Sequence, residues 1–106
     1  MSVKLVYVTA PSHEEAQRIA KTVVTERLAA CANILDGVTS IFHWKNKLCR
    51  EQEAVLILKT SAGKTDALTA RIKELHSYEC PCIAVLPVEG GNPAFLQWVN
   101  EETAQD

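Results

Sequence analysis

The spacing of apolar residues changes from a strand pattern to a helix pattern early in the chain. Apolar side chains occupy both faces of segment 3–9, with Lys4 as the exception, which predicts a strand covered on at least one side. Ser12 and Glu15 then form an S-x-x-E capping box, in which a hydroxyl and a carboxylate each accept a hydrogen bond from a free amide. The apolar residues that follow recur at helical spacing: Ala16, Ile19, Ala20, Val23, Val24 and Leu28. A strand followed by an amphipathic helix is therefore predicted.

The middle of the chain predicts a long β-hairpin. Small residues in segment 28–34 lead into a second strand, which Asp36-Gly37 interrupts because glycine can adopt the positive φ of a bulge. The strand resumes at Val38 and ends at the polar turn Lys45-Asn46-Lys47, after which residues 48–60 form a third strand. Both arms exceed the usual length of about five or six residues. We therefore expect their far ends to project beyond the domain and to be covered by partner subunits.

The second half of the chain predicts a helix, a strand and a short final helix. Ser61 or Thr65 can cap the first of these, whose apolar residues fall at helical spacing: Leu68, Ile72 and Leu75. His76 lies at its end. A buried strand is predicted for the apolar run Cys82–Leu86. Asn92-Pro93 is typical of an N-cap followed by proline at the first helical position.

The predicted order of elements is strand, helix, strand, strand, helix, strand. This is the split βαβ pattern of the α+β ferredoxin-like sandwich, here with a long hairpin between the second and third strands and a short C-terminal helix. Both crossover helices are expected on one face of the sheet. The chain has 106 residues, of which 47% are hydrophobic, and this is enough for one hydrophobic core. We therefore interpret residues 1–106 as a single domain. The fold itself names no activity, because it hosts many unrelated functions.

Composition argues against several partners. The 11 basic and 13 acidic residues give a formal charge of −2 without long runs of one sign, so nucleic acid is not expected as a partner. No apolar stretch approaches the roughly 18 residues of a membrane span. The first apolar segment follows Met1 without a basic leader, so we expect a cytoplasmic protein.

Common catalytic motifs are also missing. Gly63-Lys64-Thr65 matches the end of a phosphate-binding loop, but that motif needs a glycine five positions before Gly63, where Leu58 stands. The G-x-S-x-G turn that activates a serine nucleophile does not occur. A non-enzymatic protein is therefore predicted.

Two groups of side chains could form a binding site. His76 lies near Tyr78, Glu79 and Cys80, which together offer possible ligands for a borderline metal; alternatively, His76 and Tyr78 form local hydrogen bonds that shape the loop. Glu53 shares a face of the third strand with Glu51 and Lys59. These three residues would line a cleft if a neighbouring subunit closed over them, or else form a solvated face.

The four cysteines are expected to be free thiols, because a domain with an adequate core gains little from crosslinks. Cys80-Pro81-Cys82 lacks the second pair of ligands that a zinc site needs. We interpret these two cysteines as small buried hydrophobic residues placed beside a strand. No specific role is predicted for Cys31 or Cys49.

Several blocks of sequence, in this order, resemble the CutA divalent-cation tolerance family. The match runs nearly from end to end, and the L-A-A-C-x-N segment makes it specific. The blocks are Thr9-Ala10-Pro11, Arg27 to Ile34, Thr39 to Lys45, Leu58-Lys59-Thr60, His76-Ser77-Tyr78, Leu86-Pro87-Val88 and Leu96-Gln97-Trp98.

The resemblance implies a ferredoxin-like protomer in a tight homotrimer, similar in architecture to the PII signalling proteins. It also implies a role in tolerance of copper and other divalent metals, with no established reaction. Family members with a proposed copper site carry a cysteine and two adjacent histidines where this chain has Val8, Leu75 and His76. Only His76 matches. The resemblance leaves Cys31, Cys80 or Cys82 as alternative copper ligands, and Ser77 replaces a usual proline.

Two functions follow as hypotheses. The first is a homotrimeric protein that binds divalent metal ions, copper in particular, with His76 as the best single ligand. The second is a PII-like module that binds a small molecule or a protein in an inter-subunit cleft lined by Glu53, Lys59, His76 and Tyr78. A structural trimer that scaffolds another protein is a third possibility.

Overall fold

One antiparallel sheet organises the chain, with its strands in the order β2-β3-β1-β4. The computed structural model describes residues 2–104. The strands are β1 (Val3–Ala10), β2 (Cys31–Trp44), β3 (Lys47–Ser61) and β4 (Ile83–Pro87). The helices are α1 (His13–Thr25), α2 (Thr65–Leu75), preceded by a short 3₁₀ turn (Ala62–Lys64), and α3 (Pro93–Thr103). The predicted ferredoxin-like α+β sandwich is confirmed.

The main core lies between one face of the sheet and the helices α1 and α2. It contains alternate residues of the two central strands and the apolar faces of both helices: Val6, Val8, Leu56, Leu58, Ile19, Val23, Leu68 and Ile72, all fully buried. Burying each large aliphatic side chain contributes about 1.5–3 kcal/mol. Both crossover helices therefore lie on one face, as the right-handed connections predict.

The hairpin of β2 and β3 is longer than the strand beside it. The two arms pair from Cys31 with Lys59 as far as Trp44 with Lys47, across a bulge between Leu35 and Val38. β1 reaches only Ala54 of β3. The hairpin arms beyond Ala54 consequently extend past the rest of the sheet, as predicted.

The bends in the hairpin follow from local backbone conformation. Gly37 has φ of +69° at the bulge, which confirms the predicted role of that glycine. At the tip, Lys45 and Asn46 both have positive φ, at 50° and 65°. Two consecutive left-handed residues are typical of the tight two-residue turn whose twist matches the flanking strands.

The projecting arms carry large apolar side chains that the protomer leaves in water. Ile41 is 68% exposed and Leu48 is 71% exposed, and Phe42 and Trp44 are also exposed. An exposed β edge with such residues is a pairing site for another chain.

The predicted strand at Cys82–Leu86 is present, but the prediction that it is buried is wrong. The strand starts at Ile83 and lies at an edge of the sheet, where it pairs with β1 alone within residues 2–104. Val85 and Leu86 are accordingly 45% and 44% exposed. A continuous apolar run indicates that both faces of a strand are apolar. It does not indicate whether the same chain or another chain buries them.

The two predicted caps of α2 are also wrong. Because a 3₁₀ turn precedes the helix, Lys64 occupies the N-cap position, and neither predicted side chain caps α2. Ser61 instead forms a buried hydrogen bond with Thr103 of α3, at 2.8 Å between the hydroxyl oxygens. The predicted start of α3 is confirmed, since the Asn92 side chain accepts a hydrogen bond from the Ala94 amide.

Candidate functional site

A cavity of about 870 Å³ opens between the hairpin and the connection from α2 to β4. The hairpin residues 40–53 form one wall, the connecting segment 77–82 forms the other, and Tyr7 and Thr9 of β1 contribute the floor. Its lining includes aromatic side chains, three carboxylates and three cysteines. This volume falls within the range of about 300–1,000 Å³ that is typical of small-ligand pockets.

His76 lies behind this cavity, and both of its ring nitrogens have partners. Its side chain is fully buried at the end of α2. Nε2 is 2.7 Å from the carbonyl oxygen of Thr9, and the Tyr78 amide donates to Nδ1 at 3.1 Å. Since a carbonyl can only accept, Nε2 carries the proton and Nδ1 is the acceptor. These contacts describe a neutral imidazole that links α2, β1 and the connecting segment.

Glu15 connects α1 to the same segment. As predicted, the Ser12 hydroxyl accepts a hydrogen bond from the Glu15 amide. The predicted return bond of the capping box is wrong, because the Glu15 carboxylate instead accepts from the amide and the hydroxyl of Ser77, both at 3.0 Å. A proline at position 77 would lack that amide proton. Ser77 therefore makes a backbone hydrogen bond to Glu15 that a proline at this position could not make.

The Glu15 carboxylate also lies 3.4 Å from Nδ1 of His76. This separation suits an ion pair only if Nδ1 carries a proton, and the shorter contact from the Tyr78 amide requires that it does not. We interpret the neutral imidazole as the resting form. The Glu15 carboxylate oxygen nevertheless lies next to the lone pair of His76 Nδ1.

Tyr78 and Glu53 meet at the inner end of the cavity. The Tyr78 hydroxyl donates to the buried carboxylate of Glu53 at 2.8 Å, and its ring lies 4.8 Å from that of His76. Burial raises the pKa of Tyr78 well above its usual value, and the charges of Glu53, Glu51 and Glu15 raise it further. Tyr78 is thus held neutral as a hydrogen-bond donor.

Lys59 is not brought to this site within the protomer. Its ammonium group donates to the side chain of Asn33 on β2, and the residue does not line the cavity. It stands six positions from Glu53 in one strand, which corresponds to roughly 20 Å. A shared strand face is therefore too weak a criterion for placing an acid and a base in one cleft.

All four cysteines are free, as predicted. The interpretation of Cys80 and Cys82 as small buried residues is wrong, because both are exposed. Together with Cys49 of β3 they line the cavity, whereas Cys31 lies half-buried on β2 outside it. Sequence reasoning missed Glu15 as a site residue, because its hydrogen bonds to Ser77 join segments 62 positions apart.

Two structural searches over residues 2–104 bear on metals and membranes. No three or more His, Cys, Asp or Glu side chains are grouped so that they could hold a metal ion. No helix in this part of the chain is long and apolar enough to span a bilayer.

Comparison with known proteins identifies the family. The family model described as CutA1 divalent ion tolerance protein matches residues 4–102. The chain belongs to this CutA1 family. The divalent-cation tolerance protein CutA of Thermus thermophilus is 44% identical over 94% of this chain and 97% of its own length. The CutA 1 protein of rice, named chloroplastic, is 40% identical over 95% of this chain.

Solved CutA1 structures share the fold along the whole chain. The structure from Thermus thermophilus has a TM-score of 0.93 and covers 95% of this chain and 98% of its own. The structure from rice has a TM-score of 0.95 at 38% identity and covers 100% of this chain and 97% of its own. The chain spans only 57% of the full rice relative and 58% of the mouse protein CutA.

The Tyr78–Glu53 contact yields a titration prediction. In a Tyr7→Phe background, which leaves Tyr78 as the single tyrosine, Glu53→Gln should lower the pKa of Tyr78 because a nearby negative charge is removed. The pKa should still exceed the ordinary tyrosine value, since burial remains the largest cause. Tyrosinate absorbance measured against pH checks this.

The matched control is Glu51→Gln, which removes a charge that acts on Tyr78 only through space. It should lower the pKa of Tyr78 by less than Glu53→Gln does. Equal shifts in the two variants, or no shift in either, would contradict the assigned contact.

Proposed function

We propose that this chain acts as a homotrimer that binds divalent cations, copper among them, in metal-ion tolerance, and that it catalyses no reaction. The single observation that carries the proposal is the projecting hairpin, which exposes apolar side chains and also forms one wall of the cavity. A second copy packed on the hairpin would cover the apolar side chains and close over the cavity. Family membership supports the tolerance role.

A threefold arrangement suits this hairpin. β2 is an edge strand and presents unpaired backbone groups along its outer side. A head-to-tail contact between copies either closes into a ring or continues as a filament, so a soluble assembly needs closure. Three copies that cover one another's hairpins meet this requirement.

We keep His76 as the proposed metal ligand, and its hydrogen bonds favour Nδ1 as the nitrogen that would bind the cation. Nε2 donates to the Thr9 carbonyl, which is the outer-shell bond that metal-binding histidines usually make. Nδ1 would then bind the cation after releasing the Tyr78 amide, with the Glu15 carboxylate 3.4 Å away as a second ligand. Opening this buried site costs a hydrogen bond of about 1 kcal/mol or more, so we expect weak binding.

A PII-like small-molecule or protein-binding module is the second candidate. The cavity volume and the pairing of Tyr78 with Glu53 favour a small ligand over an extended surface. Lys59 would join this site only from a neighbouring copy. A metabolite that raises the melting temperature in the presence of a chelator would favour this candidate over cation binding.

The cytoplasm remains our proposed compartment. Four free cysteines, two of them exposed, are typical of a reducing environment. The rice relative is named chloroplastic and the structure from Archaeoglobus fulgidus is named periplasmic.

The assembly proposal predicts the effect of a charge on the hairpin. Wild-type protein should sediment as a trimer at micromolar concentration, and Ile41→Lys should shift it toward single chains because a buried charge without a partner is costly. Gln17→Lys, on the exposed face of α1, adds the same charge elsewhere and should leave the trimer intact. Folded wild-type protein that sediments as single chains would refute the proposal.

The ligand proposal predicts a difference between two histidines. Titration with divalent copper and zinc should give at least about 10-fold weaker binding for His76→Gln than for wild type. His43→Gln, on the exposed hairpin, is the control and should bind as wild type does. Nitrogen hyperfine structure in the copper spectrum should vanish in His76→Gln alone. Identical titrations of all three proteins would exclude His76 as the ligand.

A further inference from the structure

Three free thiols line the cavity, and two of them are separated in sequence by one proline; neither the fold nor the proposed function uses them. Cys80 and Cys82 belong to the connecting segment, and Cys49 lies on the hairpin wall. We infer that Cys80 and Cys82 form a two-thiolate site for a soft monovalent cation, of the chemical type of copper(I) or silver(I).

The two thiols flank Pro81 at the end of the connecting segment. Cys80 lies in the bend of that segment, and Cys82 directly precedes β4, which begins at Ile83. Both cysteines are exposed and line the same cavity.

The segment that carries the thiols is attached at both ends. On its N-terminal side, Ser77 bonds to Glu15 and Tyr78 bonds to Glu53. On its C-terminal side, Ile83 pairs with Val8 in the sheet. The two thiols are thereby held between fixed points, which reduces the ordering that ligand binding must supply.

The number of donors determines which metals fit. Zinc requires about four ligands, whereas thiolates favour copper(I), which two sulfur atoms can hold in linear coordination. Cys80 and Cys82 supply two sulfur donors, and no group of three or more potential metal ligands is found within residues 2–104. Two sulfur donors therefore fit copper(I) better than zinc.

Binding exchanges two protons for one cation. Each thiol loses its proton as its sulfur forms the bond to the metal, so one monovalent cation and two thiols give a complex of charge −1 and two released protons. The other titratable groups that line the cavity are Tyr7, Cys49, Glu51, Glu53, Tyr78 and Glu79. The carboxylates attract the cation, and affinity should fall as pH falls because protons compete for sulfur.

The thiolate site rests on the proposed metal function for its biological role. Its position, its ligands and its metal differ from those of the His76 site, so an experiment can refute one site without refuting the other. Zinc titration reports on the His76 site, and copper(I) titration reports on the thiols.

The test is a competition between the reduced, full-length protein and a coloured copper(I) chelator under anaerobic conditions. Wild type should bind one copper(I) per chain, and the double variant Cys80→Ser, Cys82→Ser should bind it more than about 100-fold more weakly, since losing an outer-shell partner alone costs up to that factor. Cys31→Ser, outside the cavity, is the matched control and should bind as wild type does.

Each outcome decides the matter. Loss of copper(I) binding in the double variant, with unchanged zinc titration and retention in Cys31→Ser, supports the site. No copper(I) binding by wild type, equal affinity in the double variant, or an equal loss in Cys31→Ser overturns it. Circular dichroism of the double variant should match wild type, because both replaced side chains are exposed.

Discussion

The length of the hairpin relative to β1 is the constraint from which the other features follow. β1 ends opposite Ala54, so the arms beyond that point pair only with each other in the part of the chain that the structure describes. Their apolar residues and the outer edge of β2 consequently face water in the protomer. The same projection creates the cavity, because the hairpin stands opposite the connection between α2 and β4. The exposed apolar surface and the cavity thus share one structural cause.

Local patterns were sufficient to predict most of the fold. The capping serine of α1, the bulge at Gly37 and the Asn92-Pro93 start of α3 depend on neighbouring residues, and all three are confirmed. The exposure of β4 is not predictable from the sequence. Hydrophobic periodicity indicates which residues favour burial, but it does not indicate which chain buries them. The caps of α2 failed because a 3₁₀ turn of three residues intervenes.

The site was predictable only in part, since its contacts join distant segments. His76 and Tyr78 were named from the order of residues at a helix end, and the structure places them together with Glu53. The capping-box pattern predicts that the Glu15 carboxylate accepts a hydrogen bond from the start of its own helix. It accepts from Ser77 instead, which is 62 positions away in the sequence. Lys59 lies roughly 20 Å from Glu53 along β3, so its part in a cleft closed by a neighbouring subunit stays a prediction. The sequence predicts a packing role for Cys80 and Cys82, whereas both are exposed and line the cavity.

Hydrogen exchange along β2 tests most directly whether the hairpin is covered. The outer amides of residues 38–44 have no neighbouring strand among residues 2–104, so we expect another copy to be what protects them. We predict that they exchange slowly at micromolar concentration and faster on dilution, while the core amides of β1 stay protected throughout. Rapid exchange of the outer amides at every concentration, with the β1 amides still protected, would contradict the account.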